Sequence, residues 1–225
     1  LTFLRQVAAI IRKDLTAELR TIEISSAIIF FALIVLIIFN FAFELQVGSQ
    51  EIQTLGPGVL WVAFAFSSII GLGRSLAVEK DKGSLDGLLL TPVDRGAIYL
   101  GKVASNFIFT SVMEAITLVA FIILFNPPSL SLLLIPYIIL GTLGLSAVGT
   151  LLAAVASGTL IREVMLPILL FPISIPLFMA VIALTRHAFQ PASLLDISGS
   201  LSLLIAFDVI FLIVAFLLFE YVVEE

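Results

Sequence analysis

RSLAVEKDKGSLDGLLLTPVDRGAIYLGK, residues 74–102, is a polar interruption between two long apolar segments. It carries Arg74, Lys80, Lys82, Arg95 and Lys102, five of the 11 Lys and Arg residues in the chain. Within it, residues 84–92 (SLDGLLLTP) form a short apolar-rich piece. A membrane span needs about 20 apolar residues, so this piece cannot cross a bilayer. It reads as one or two helical turns, with Ser84 as N-cap, Asp86 in the first turn and a stop near Pro92. Leu85, Leu88 and Leu89 then share one face. Such a face has to pack on something: a separate soluble protein, or else lipid headgroups or the chain's own bundle. Glu79, Lys80, Asp81, Lys82 and Gly83 precede it as a charged hinge, whose charges would select a partner while the leucines supply contact area.

The remainder of the chain is that of an integral membrane protein. It is 61% hydrophobic and 12% charged over 225 residues, with a mean hydropathy of +1.25. Soluble domains run at about 45–50% apolar and about 25% charged. Cysteine is absent, which excludes disulfide scaffolds, thiolate metal sites and cysteine nucleophiles. His187 is the single histidine, so multi-histidine metal or haem ligation within one chain is excluded too.

Residues 1–23 place Leu4, Val7, Ala8, Ile11, Leu15, Leu19 and Ile22 at helical spacing among charges, and read as an amphipathic helix lying apolar face down in the membrane interface. Six spans follow, at about 24–44, 59–78, 97–125, 132–156, 163–184 and 200–222. Gly56, Pro57 and Gly58 are expected to break the chain ahead of the second. The fourth is rich in small residues, which allow close helix approach. The fifth carries Pro167, Pro172 and Pro176 and is expected to be kinked or locally unwound. Residues 185–199 read as a polar outer segment. The whole is one transmembrane domain, 1–225, with 79–96 as its principal loop. Ten Lys and Arg fall on the side of the termini and this loop, and only Arg186 on the other, which predicts a cytoplasmic loop and cytoplasmic termini.

No constellation for intrinsic catalysis emerges: there is no GxxxxGK[ST] run, and the Gly71 and Gly73 pair lies within a span. Two acids, Glu114 and Asp208, fall inside spans three and six in the outer half of the bilayer. They would line a polar path or form a coupling pair, or each would be a neutral acid hydrogen-bonded to neighbours such as Thr110, Ser111 or Thr117. Trp61 and Tyr99 fit interfacial anchors. Arg74 can snorkel to the surface. His187 could ligate a haem iron from outside, but beside Arg186 in a polar segment it reads as solvated.

At the loop the sequence resembles a known family. The runs PGVLWV (57–62), SS (67–68), RSLAVE (74–79), GSLDGLLL (83–90), Pro92 and LGK (100–102), with a second block LPILLFPISIPL (166–177), are similar to the haem exporter protein B family. That family is the membrane subunit of the ABC complex in cytochrome c maturation. The resemblance implies an all-α, ABC-2-type permease of six transmembrane helices in the bacterial inner membrane. It would work as a homodimer with a separate cytoplasmic ABC ATPase that binds the ATP, alongside other haem-handling membrane subunits and a periplasmic haem chaperone. The loop then corresponds to a coupling helix, with Glu79, Gly83, Ser84, Leu85, Asp86, Leu88, Leu89 and Pro92 docking on the ATPase, and residues 1–23 to a connecting helix. The chain itself is expected to hold no cofactor, haem belonging to the complex. The spans offer acids, no histidine and few methionines, so the expected role is mechanical transducer rather than haem conduit. Alternatives are an ABC-2 permease for a lipid, drug or polysaccharide, and a membrane scaffold without an ATPase.

Overall fold

A computed structural model describes residues 2–19, 22–43, 49–81, 83–159, 161–190 and 194–224. Among these the chain is all helical: α1 (Phe3–Leu19), α2 (Ile22–Ala42), α3 (Gln50–Asp81), α4 (Ser84–Leu89), α5 (Arg95–Phe125), α6 (Leu134–Ser157), α7 (Arg162–Phe189) and α8 (Leu194–Glu224). Six of them, α2, α3 and α5–α8, are long and apolar enough to cross a membrane. A chain with few polar side chains must satisfy its backbone hydrogen bonds within each segment, and helices do so in lipid.

The centre of the bundle is α6, which packs against α3, α5, α7 and α8. Its small residues set the helix spacing. A Cβ on Gly141 would lie 2.2 Å from Trp61 Cη2, one on Gly144 2.4 Å from Leu177 Cδ1, and one on Gly149 2.4 Å from Leu72 Cδ1. Helix association in lipid rests on such van der Waals fit. Two aromatic residues expected at the interfaces are interior instead. Trp61 is buried, with its indole N–H donating to Thr185 Oγ1 at 2.8 Å. Tyr99 is buried against Phe216 and Phe219, its hydroxyl donating to the Ala147 carbonyl at 3.1 Å. Each found a buried partner for its polar atom, which removes the reason to sit at a wet boundary.

Two expected breaks, and any unwinding at the prolines of α7, are absent. Gly56, Pro57 and Gly58 lie inside α3, which begins at Gln50. Gly56 there meets Phe121 and Phe189, so its missing side chain serves packing rather than a turn. The three prolines of α7 sit within one uninterrupted helix. Pro172 and Pro176 point outward, while Leu166, Leu170, Ser174 and Leu177 form the buried stripe, so the interrupted hydrogen bonds fall on the outer face. Finally, α7 continues through Thr185, Arg186 and His187 into what reads as a polar loop. The Arg186 guanidinium in that last turn suits the negative end of the helix dipole.

Candidate functional site

The candidate site is the loop end of the bundle, where α1, α3, α4, α5 and α7 converge. α3 runs straight through Glu79 and Lys80 to Asp81, so the expected charged hinge is the last turn of a helix. The chain reverses at Gly83, whose φ of +63° is open to glycine and costly for other residues. Its N–H donates to the Lys80 carbonyl at 3.0 Å, and its own carbonyl accepts from Gly87 N–H at 3.0 Å, opening α4. Ser84 does not cap α4 as expected. Its hydroxyl donates backwards to the Glu79 carbonyl at 3.1 Å, closing the end of α3, because Gly83 already supplies the first acceptor of α4. α4 stops at Leu89, ahead of the exposed Pro92. Thr91 N–H and hydroxyl both return to the Leu88 carbonyl, and Asp94 caps α5 by accepting from Gly96 and Ala97 N–H at 2.8 and 3.3 Å.

Of the three leucines expected on one face, Leu88 is half-buried and packs on the chain's own core. The side chains of Leu85, Asp86 and Leu89 lie outside the described residues. A fourth leucine, Leu90, is 89% exposed at the tip.

Below this loop lies an ion cluster that the sequence reading did not assemble. Lys102, counted there as a loop cation, sits within the first two turns of α5 and is fully buried. Its Nζ lies 2.5 Å from Glu79 Oε2 and 3.0 Å from Asp14 Oδ2. Lys13 Nζ bridges the same two carboxylates, 2.6 Å from Glu79 Oε1 and 3.1 Å from Asp14 Oδ1. Ser105 Oγ donates to Asp14 Oδ2 at 3.2 Å. Two lysines and two acids, from α1, α3 and α5, therefore neutralise one another within a single contact set. Buried charges persist only when paired in this way. Glu79 accordingly faces inward, into this cluster.

The cluster dictates how α1 lies. Its buried stripe runs through Val7, Ile10, Ile11, Asp14 and Leu15, with Ile10 and Asp14 most deeply covered, whereas Leu4 and Ala8 of the expected apolar face are exposed. The helix packs along α5, and a Cβ on Gly101 would meet Ile10 at 2.7 Å. An acid on the buried side of an amphipathic helix was the available signal, since Ile10 and Asp14 are one turn apart. Burial raises the Asp14 carboxyl, but Lys102 and Lys13 outweigh it and hold the group below the usual carboxylate range. Burial lowers Lys13, and Glu79 and Asp14 more than offset this, so its ammonium is held above the usual lysine value. Glu18, partly buried and near Asp14, is pushed up.

A second tie joins α3 to α7. Arg162 Nη1 and Nη2 reach Asp81 Oδ1 and Oδ2, each at 2.7 Å, a two-pronged contact that fixes direction as well as distance. The stem of the loop is thus held to α1, α5 and α7.

The two intramembrane acids lie elsewhere and apart from each other. Glu114 is buried and accepts a hydrogen bond from the Thr142 hydroxyl of α6, not from Thr110, Ser111 or Thr117 on its own helix. Thr117 instead donates to the Met113 carbonyl at 2.9 Å. Asp208 is buried against Gly144 of α6, where a Cβ would lie 2.4 Å from Oδ1, and neither carboxylate oxygen has a partner among the described residues. Positions 142 and 144 differ by about 200° around a helix and about 3 Å along it. The acids match in depth but have α6 between them, so they form no direct pair. His187 is half-buried in the last turn of α7, and no cluster of three potential metal ligands occurs among the described residues.

The chain is 29% identical to a heme exporter protein B of Pseudomonas aeruginosa over 160 residues, covering 70% of each chain. It is 27% identical to the protein of that name from Haemophilus influenzae over 171 residues, covering 74% of this chain and 75% of the other. With the Rhodobacter capsulatus protein of that name it shares 27% identity over 56% of this chain, a stretch that spans 59% of that relative's length. A family model for the CcmB protein matches residues 5–224, almost the full length, and the chain belongs to the CcmB protein family.

Proposed function

We propose that this chain is the membrane-spanning subunit of an ABC-type haem-export system serving c-type cytochrome biogenesis. It has no catalytic role of its own and carries the work of a separate, cytoplasmic ATPase into the bilayer. One observation carries the reading: the stem of the α3–α5 loop is tied by buried ion pairs to α1 and α5, and by Arg162–Asp81 to α7. A push on α4 would reach three helices through charge contacts of 2.5–3.1 Å. The names of the relatives support haem as the cargo of the system. The ten-to-one Lys and Arg asymmetry supports a cytoplasmic loop and termini in a bacterial inner membrane.

In this reading α4 is the coupling helix and the chain works as a homodimer with two ATPase copies, beside other haem-handling subunits. ATP turnover drives release of a haem-loaded periplasmic chaperone. Glu79, which faces inward, positions the loop through Lys102. Ser84 and Gly83 shape the turn, Pro92 ends it, and Leu85, Asp86, Leu88 and Leu89, joined by the exposed Leu90, meet the ATPase. The role is transduction of movement rather than passage of haem.

The test is co-purification of the full chain with its candidate ATPase. Wild type binds, and Leu90→Asp abolishes binding while leaving the melting temperature unchanged, because Leu90 contributes nothing to the core. Leu88→Asp also abolishes binding but lowers stability as well, since Leu88 packs inward. Absence of binding by the wild type sinks the docking reading, and haem bound stoichiometrically to the isolated chain sinks transduction without passage.

A further inference from the structure

A cavity of about 540 Å³ opens between α2, α3 and α7 on the loop side of the bundle. Its walls are apolar, with Ala27 of α2, Ala77 of α3 and Leu166 of α7 among them. Its mouth is charged: Arg74 lines it, and the Asp81–Arg162 pair borders it. The volume lies in the range of about 300–1,000 Å³ typical of ligand pockets.

Arg74 is the feature that needs an explanation. It lies two turns before the end of α3, on a helix apolar enough to span, and it is exposed to the groove. It forms no ion pair among the described residues, whereas Arg162 is bound to Asp81 and Lys102 to Asp14 and Glu79. Glu18 of α1 is within electrostatic reach of it but not in contact. A guanidinium beside apolar walls, near a bilayer boundary, matches a molecule with an anionic head and a hydrocarbon body. Basic pockets between spanning helices on the cytoplasmic side take lipid headgroups of this kind. Guanidinium also matches a phosphate in geometry, with two donors to two oxygens.

We infer that this groove is a site for one anionic phospholipid, its phosphate on Arg74 and an acyl chain along Ala27, Ala77 and Leu166. The lipid completes the groove from the cytoplasmic leaflet. It supplies a direct counter-charge that Arg74 does not find among the described residues, and it wedges α7 against α2 and α3 at the level where Arg162 ties α7 to the loop stem. The inference stands apart from ATPase docking, since it concerns the isolated chain.

Native mass spectrometry of the full-length purified chain, titrated with phosphatidylglycerol or with phosphatidylcholine, tests it. Wild type retains phosphatidylglycerol in preference to phosphatidylcholine. Arg74→Gln lowers phosphatidylglycerol binding about fivefold, the value of one basic residue at a membrane surface, and leaves phosphatidylcholine unchanged. Arg74→Lys keeps most of the preference, and Ala77→Phe, which fills the groove, lowers both. A melting curve for each variant confirms folding, and if Arg74→Gln does not fold, the Lys and Phe variants decide alone. Equal phosphatidylglycerol binding by wild type, Arg74→Gln and Ala77→Phe overturns the site. So does haem that displaces the lipid from wild type but not from Ala77→Phe, or a dimer of this chain whose formation, rather than lipid binding, is what these substitutions weaken.

Discussion

Replacing Lys102 by methionine keeps most of the apolar stem and removes one charge from the ion cluster. Asp14 and Glu79, 5% and 14% exposed, then share only Lys13, which is 45% exposed and correspondingly screened. Removing one partner of a buried pair costs about 3–5 kcal/mol, because the remaining charge stays buried and uncompensated. At roughly 2–4 °C per kcal/mol for a chain of this size, the melting temperature of Lys102→Met should fall by about 10 °C. Lys13→Met should cost less than about 1 kcal/mol, as an exposed pair does. The decisive measurement is the double variant. Asp14→Asn with Lys102→Met leaves Glu79 paired with Lys13 and the Ser105 hydroxyl still hydrogen-bonded, so about 2 kcal/mol of the loss should return. The assay is thermal or detergent-induced unfolding of the purified chain, which is naturally free of cysteine and so accepts paired labels without background. A cost for Lys102→Met below about 1 kcal/mol, or a double variant worse than the sum of the singles, refutes the clamp.

Four further outcomes follow from the same geometry. The Asp14 carboxyl is held low, so its contribution is complete above the ordinary carboxylate value of about 3.9 and is lost as pH falls through its lower folded value. Lys13 is held high, so its contribution is complete below about 10.5 and is lost as pH rises through its folded value; between these limits neither group should change the stability of wild type, and Asp14→Asn should remove the acid-side slope. Glu18 is pushed up and so opposes folding while ionised; Glu18→Gln should stabilise at neutral pH, and the gain should shrink as pH falls through the raised value and be gone below the ordinary value of about 4.5, seen in melting temperature against pH. Gly141→Ala should cost about 1–3 kcal/mol by driving a methyl into the Trp61 ring, which tryptophan fluorescence would report, whereas Gly58→Ala meets nothing within 4 Å and should gain about 0.5–1 kcal/mol. If the chain serves c-type cytochrome biogenesis as proposed, alanine at both Glu114 and Asp208 should leave cytochrome c maturation intact, because α6 separates the two acids and they form no pair; lost maturation with normal protein levels would give them a role.

The six spanning helices, the position of the loop and the charge asymmetry were all legible in the sequence. Each is a local property: an apolar run of sufficient length must become a helix in lipid, and a charged run must leave it. The site was only half legible. Gly83 and the leucines of α4 announced a turn and a short helix, but Lys102 looked like one more loop cation and Asp14 like one more surface charge. Their pairing joins residues 88 positions apart, and nothing in either local pattern specifies it. The same limit explains Trp61, which reads as an interfacial anchor until Gly141 and Thr185 are brought beside it. It also explains the run of Gly56, Pro57 and Gly58, which reads as a break until Phe121 and Phe189 close on Gly56. Tertiary structure decided these points because hydropathy ranks segments against water, while between helices already in an apolar medium only shape and paired charge distinguish one neighbour from another.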